Sequence, residues 1–401
     1  MATGNSAVLV INCGSSSIKF ALFAASRTMP QLFSGALERI GLGPGRFHAK
    51  DSLGKALFEQ QPTLANHKAA LGLVIKAVKQ QLAGRTLLAV GHRVVHGGAN
   101  CDCPVPVDLA LEDRLRQLVP LAPLHLPHNL AGITAVRELQ PDLPQVACFD
   151  TSFHHSLPRL ARLTTLPREF QHEGIQRYGF HGLSYESVVD ALRQDGVDVE
   201  RERMVIAHLG NGASMCALRH GRSVETTMGF STLAGLMMGT RCGDLDPGAV
   251  LYLLTAKGMS ADAVQTLLYE RSGLLGVSGI SSDMRELLSR DEEPAAREAI
   301  ALFCYRARQH LASLTAALGG LDRLVFTGGI GANAPEIRER ICEGLAYLGI
   351  TLDPKANRAG AKTVSARGAA VTVQALHSDE EHMIARHVLR LTADRLAQVE
   401  A

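Results

Sequence analysis

One pattern, used twice, constrains this chain more than any other feature: an apolar β-branched run, a loop of small residues, then a second apolar run. The first copy is VLVINCGSSSIKFALF, Val8 to Phe23, where Asn12, Cys13, Gly14 and the serines Ser15, Ser16 and Ser17 lie between two strand-like segments. The second is MVIAHLGNGASMCALRHG, Met204 to Gly221, with Gly210-Asn211-Gly212-Ala213-Ser214 as the loop, Met215 to Leu218 as the returning strand and a His-Gly turn after it. Phosphate loops of the dinucleotide and Walker types open a helix. These loops enter strands, so the spacing predicts hairpins, and two copies separated by about two hundred residues are what an internal duplication leaves. Two such loops would offer backbone N–H groups and serine hydroxyls to one polyphosphate, with Lys19 as a point charge beside them.

A chain of 401 residues is long for one ordinary core, so two domains are expected. An apolar fraction of 46% is that of a globular protein. There is no basic segment followed by a long apolar run at the start and no apolar stretch of spanning length, so a cytoplasmic protein without a membrane partner is expected. None of the eight cysteines forms a C-x-x-C pair, and they read as reduced thiols, mostly core filler. A net charge of +2, from 41 basic and 39 acidic residues, gives no footprint for nucleic acid, so any bound anion is small.

Strand-like runs alternate with amphipathic helices, which predicts an α/β architecture. Leu71, Val74, Val78 and Leu82 share one helical face, as do Ile300, Ala307, Leu311, Leu314 and Leu318. Segment 119–129, VPLAPLHLPHN, carries three prolines and is expected to be irregular. In RLVFTGGIGANAPEIRERI, the strand Leu324 to Thr327 runs into Gly328-Gly329-Ile330-Gly331, and Asn333 is the expected N-cap of a helix with Pro335 in its first turn. Glycines there permit close approach of backbone to an adenine or ribose.

VINCGSSSIKF, GHRVVHGG, APLH, FDTSFH, RYGFHG, HLGNGAS, GLMMGTRCGDLDPG, SGLLGVSGISSDMRE, FTGGIGAN and DEEHMIAR occur in that order over nearly the whole chain. Together they resemble the acetate kinase family of the actin, sugar-kinase and heat-shock-chaperone ATPase superfamily. The resemblance implies two duplicated ribonuclease H-like domains with ATP in the interdomain cleft, and reversible in-line transfer of the γ-phosphoryl group of ATP to acetate, giving acetyl phosphate and ADP. It also implies Mg2+, for which Mn2+ substitutes, and a homodimer.

Cations have to converge on a metaphosphate-like transition state. By resemblance Arg93 binds the carboxylate and Arg241 clamps the phosphoryl oxygens, both as bidentate guanidinium donors. His181 matches a transition-state histidine, and His125 a second pocket histidine. The acyl group is expected among Val95, Leu124, Phe180 and Thr232. Lys19, His208, Leu209, Gly210, Asn211, Gly212, Asp283, Met284, Arg285, Gly329, Ile330, Gly331, Ala332 and Asn333 are the implied ATP contacts, and Asn12 and Glu380 the implied metal ligands. Asp150 matches the family's active-site aspartate. Because acetate titrates near 4, no base is needed at neutral pH, and Asp150 is expected to orient Arg241 or a metal-bound water.

The chain departs from the family's common HGTSH at Leu183 and Tyr185, from H-N-P at Leu126, from GIGEN at Ala332, and from a proline at Thr232. These departures leave a kinase of propionate or another short acid as an alternative, beside a noncatalytic actin-like switch. The expected layout is residues 1–149 with 384–401 as one domain, returning through a C-terminal helix with the stripe Ile384, Val388, Leu391, and residues 150–383 as the other.

Overall fold

Ser6–Cys13 (β1) is apolar and buried nearly throughout, as a central strand covered on both faces must be. It pairs antiparallel with Ser17–Ala24 (β2), bringing Asn12 opposite Lys19 and Cys13 opposite Ile18. The computed structural model describes residues 5–393. In it the chain divides into two units, residues 1–153 with 379–401, and residues 154–378.

The first unit continues with Gln31–Glu38 (β3), Arg46–Asp51 (β4), Ala56–Gln60 (β5), Thr86–Val94 (β6), Val105–Pro106 (β7) and Gln145–Phe149 (β8). Its sheet has the order β5-β4-β3-β2-β1-β6-β8-β7. The β1–β6 and β6–β8 pairs are parallel and the β1–β2 and β2–β3 pairs antiparallel. The helix His67–Gln81 buries Leu71, Val74 and Val78 as its spacing predicts, while Leu82 is its half-buried C-cap. The helix Glu380–Leu391 packs on β1 and β6 through Ile384 and Val388, with Leu391 38% exposed at its end instead of buried. A β-carbon on Gly91 would lie 2.5 Å from Ile384 Cγ2 and 2.7 Å from Val388 Cγ2, so only glycine lets this helix seat on β6.

The second unit contains Met204–Leu209 (β9), Ala213–Arg219 (β10), Arg222–Thr226 (β11), Arg323–Thr327 (β12) and Thr372–Ala375 (β13), ordered β11-β10-β9-β12-β13. Again the first two pairs are antiparallel and the last two parallel. Without β4, β5 and β7, the first sheet reads β3-β2-β1-β6-β8 with the same orientations, so the duplication seen in two loops extends to whole sheets. The helix Pro294–Leu318 buries Ile300, Ala307, Leu311, Leu314 and Leu318.

Two local expectations are corrected. Segment 119–129 is largely ordered: Val119–Leu121 forms a 3-10 turn and a helix runs from Leu126 to Leu139. Pro127 sits in that helix's first turn, where the missing N–H has no intrahelical partner to lose. Asn333 is not an N-cap, because Gly328–Asn333 is itself a helix and Ala334 precedes the next one, Pro335–Cys342. The Asn333 side chain instead donates back to Gly329 O at 3.0 Å.

Candidate active site

In the first unit, Gly14 N donates to Ser17 O at 2.8 Å, closing the β1–β2 loop around Ser15 and Ser16. Two side chains grip this loop from behind: His67 Nε2 donates to Gly14 O at 2.7 Å and Asn129 Nδ2 to Cys13 O at 2.9 Å. The Asn129 carbonyl in turn accepts from Val95 N at 3.0 Å. One buried amide therefore ties the phosphate-loop candidate to Val95, just past the end of β6 that carries Arg93. Nothing in the sequence motifs singled out Asn129; its only mark was an uncompensated polar residue on the apolar face of the helix Leu126–Leu139.

Arg93 projects from β6 between two carboxylates. Its Nε and Nη2 donate to Asp150 Oδ1 and Oδ2 at 3.0 and 2.7 Å, and Nη1 lies 3.2 Å from Glu380 Oε2. Burial, the largest influence, pulls the Arg93 pKa down, but Asp150 and then Glu380 more than reverse it, so the charge is locked on. Asp150 therefore orients Arg93 in this structure. A guanidinium has five N–H groups, and three directed at these carboxylates leave two for an incoming anion. Flanking Arg93, His92 Nε2 donates to Gln145 Oε1 at 2.6 Å and His96 Nδ1 accepts from Gly98 N at 2.8 Å; burial lowers both imidazoles to about 4, so both are neutral at pH 7. His125 stands at the N-cap of the helix Leu126–Leu139, and it, Val95 and Leu124 are half-buried. Asn12 and Glu380 supply one amide and one carboxylate oxygen from the ends of β1 and the last helix.

In the second unit the β9–β10 loop is closed by Gly210 N donating to Gly212 O at 3.0 Å. His181, at φ 60°, heads the helix Gly182–Gln194, and its ring stacks on His208 with centroids 4.3 Å apart. His154 supports this bend: its Nε2 donates to Phe180 O at 2.9 Å and its Nδ1 accepts from Ser223 Oγ at 2.8 Å. A β-carbon on Gly212 would lie 3.1 Å from His181 Nε2 and 3.7 Å from Arg241 Nη2, so an imidazole and a guanidinium converge over that glycine. Arg241 is steadied by its Nη1, which donates to Thr232 O at 3.2 Å. That bond uses the backbone, so threonine in place of proline leaves it intact. Phe180 and Thr232 are both buried.

A cavity of about 750 Å³ in this unit is lined by Gly210, Asn211, Asp283, Met284, Arg285, Gly329, Ile330 and Asn333, bringing together the second and third glycine loops and the SSDMRE segment. Asp283 caps the helix Met284–Ser289 and pairs with Arg285 at 2.6 Å; that hydrogen bond holds its carboxyl below the usual range. Leu209 is fully buried and Gly331 is also buried, and neither lines this cavity. Arg338 lies beneath the third loop, entirely buried, with Nη1 donating to Gly331 O and Ala332 O, both at 2.9 Å.

Two sheets that share a five-strand topology, each opening on a hairpin with a small-residue loop, define a duplicated α/β protein. Within that class the chain belongs to the acetokinase family, whose model matches residues 7–386. It is 52% identical over 392 residues to an acetate kinase of Rhodopseudomonas palustris, covering 96% of this chain and 98% of the relative. An acetate kinase of Rhizobium meliloti is 47% identical, with 96% and 98% covered. Among solved structures, the acetate kinase of Porphyromonas gingivalis matches at 35% identity with a TM-score of 0.87, covering 96% of this chain and 99% of that one. A propionate kinase of Francisella tularensis matches at 34% identity with a TM-score of 0.90, covering 95% and 98%.

Proposed function

We propose that this chain is an ATP-dependent carboxylate kinase whose substrate is acetate. The acetate oxygen forms a bond to the γ-phosphorus of ATP as the bond to the bridging oxygen breaks, and ADP leaves with that electron pair. The observation that carries the reading is the convergence of His181 Nε2 and Arg241 Nη2 over Gly212, two side-chain nitrogens beside a backbone loop at a spot kept clear of side chain. Such a spot suits the equatorial oxygens of a transferring phosphoryl group, where charge develops. Gly210, Asn211, Asp283, Arg285 and the third glycine loop take the nucleotide, and Lys19 with Ser15, Ser16 and Ser17 take phosphate.

Arg93 binds the acetate carboxylate with its two remaining N–H groups, while Asp150 fixes the plane of the guanidinium. Acetate arrives ionised, so Asp150 removes no proton. Arg93, Asp150 and Glu380 together carry one net negative charge, which suits a divalent cation, and two protein oxygens are enough for Mg2+, which keeps several waters and takes phosphate oxygens. Asn12 and Glu380 would hold it, and it would neutralise charge on the phosphates.

The partner in assembly is a second copy of this chain: Leu245, Leu251 and Tyr252, at and within the helix Pro247–Thr255, are 45–60% exposed. No helix among the described residues is long and apolar enough to cross a membrane. The eight cysteines are free thiols, which supports a reducing cytoplasm. The test is ATP consumption by the purified protein with and without acetate, with acetyl phosphate trapped as the hydroxamate. Acetate-dependent ADP formation with matching hydroxamate is expected; ADP formation indifferent to acetate would refute the reading in favour of a nucleotide switch.

A further inference from the structure

Behind His181 lies a three-member hydrogen-bond chain that the reading above does not use. Tyr185, fully buried one turn into the helix Gly182–Gln194, places its hydroxyl 2.5 Å from Ser214 Oγ. Ser214, also fully buried and at the start of β10, places the same Oγ 2.8 Å from His181 Nδ1. A serine hydroxyl has one proton to give and lone pairs to receive. If the tyrosine donates to the serine and the serine to the imidazole, both hydroxyl protons are satisfied within the triad. The imidazole proton then belongs on the other nitrogen. The reverse sense would leave Nε2, the nitrogen above Gly212, without one.

We propose that Tyr185 is a positioning residue which, through Ser214, holds His181 as the Nε2–H tautomer, so that a proton donor and not a lone pair stands beside Arg241 over Gly212. Burial raises the Tyr185 hydroxyl well above its usual value, so Tyr185 keeps its proton across the working pH range. Tyr185 replaces the second histidine of the family's common HGTSH, a residue that titrates and has two tautomers of its own. This chain thereby sets the His181 tautomer with a group that has only one way to donate. The kinetic part of the inference rests on the proposed role of His181; the tautomer itself does not.

The test uses the full chain labelled with ¹⁵N-histidine, with the His181 resonances assigned by their loss in His181→Gln. In the resting wild-type protein Nε2 is expected to be protonated and Nδ1 to show the shift of a hydrogen-bond acceptor. Tyr185→Phe keeps the ring and removes the donor, so the minor tautomer should rise by about fivefold, the worth of one ordinary hydrogen bond. kcat with acetate should fall by about three- to tenfold while the KM for ATP stays within about twofold. Ser214→Ala, which breaks the same relay at its middle, should give the same tautomer shift. Tyr178→Phe removes another tyrosine hydroxyl, one that donates to Gly174 O at 2.8 Å, and should move neither reading. A wild-type His181 protonated on Nδ1, or a Tyr185→Phe protein whose His181 tautomer is unchanged, would overturn the proposal. Should the protein transfer no phosphoryl group at all, the function reading fails and the tautomer measurement still decides this one.

Discussion

Asp150→Asn tests how the carboxylate site works. In the wild type both Asp150 oxygens accept from Arg93, at 3.0 and 2.7 Å, and the aspartate is 2% exposed. Asparagine keeps one acceptor and turns an NH₂ donor toward a guanidinium that only donates, so one charge-assisted bond is lost and a donor–donor contact appears. Losing a hydrogen bond to a charged group costs about 1.5–3 kcal/mol, and removing one partner of a buried ion pair about 3–5 kcal/mol. The Arg93 side chain is 23% exposed and retains Glu380 at 3.2 Å, so the lower part of that range applies, about 2–3 kcal/mol. If this loss falls on the placement of Arg93, kcat/KM for acetate should drop by about 30- to 150-fold, with the KM for ATP changed by no more than about threefold. Steady-state kinetics from pH 5.5 to 9, alongside thermal unfolding, measure it. The variant's profile should run parallel to that of the wild type. An acidic limb that vanishes in the variant would mean that Asp150 takes a proton, and the argument from ionised acetate would fall.

Arg241→Ala should cost about a thousandfold in kcat, as for other arginines that meet a phosphoryl transition state; near-normal turnover in stopped-time assays would remove Arg241 from the site. Acetate should lead propionate in kcat/KM, because one methylene in an apolar pocket is worth only about 1–3 kcal/mol, and Val95→Ala should narrow or invert the gap; a wild type that prefers propionate outright in a substrate panel would show a rebuilt pocket. His92, His96 and His154 are lowered by burial to about 4 against 6.5 when unfolded. Between those values the unfolded chain binds more protons, so their contribution is intact above pH 6.5 and is lost as the pH falls toward 4, at up to about 1.4 kcal/mol per pH unit for each. Denaturant midpoints at pH 7, 6 and 5 should decline accordingly, and His92→Gln should flatten the slope.

What could be read from the sequence was mostly local. Both hairpins follow from apolar runs and a small-residue loop, and the helix stripes at Leu71 and Ile300 follow from spacing alone. What stayed hidden crosses long stretches of chain. Asn129 meets Cys13 over a separation of 116 residues, and Arg93 meets Asp150 over 57, so neither bond leaves a periodic trace. The motifs named Arg93 and Asp150 but not their pairing. Segment 119–129 reads as irregular because proline breaks helices, yet one of its prolines opens a helix and another sits in a 3-10 turn. Asn333 looks like an N-cap from its neighbours alone, but Gly328, at φ 77°, lets the chain turn into a helix six residues early.

The seating of the last helix on Gly91 has a consequence for synthesis. The strands of the first sheet leave the ribosome early, yet Ile384 and Val388, on the helix that covers β1 and β6, are made only after the whole second unit. While the second sheet and its helices emerge, Gly91 and the apolar faces beside it stand open to water. The first unit therefore waits, incompletely sealed, for a cover that also carries Glu380. A nascent chain stalled before residue 380 would be a folded second unit attached to an unfinished first one, with its Arg93 lacking one of two carboxylate partners, and so a substrate for chaperones before it is an enzyme.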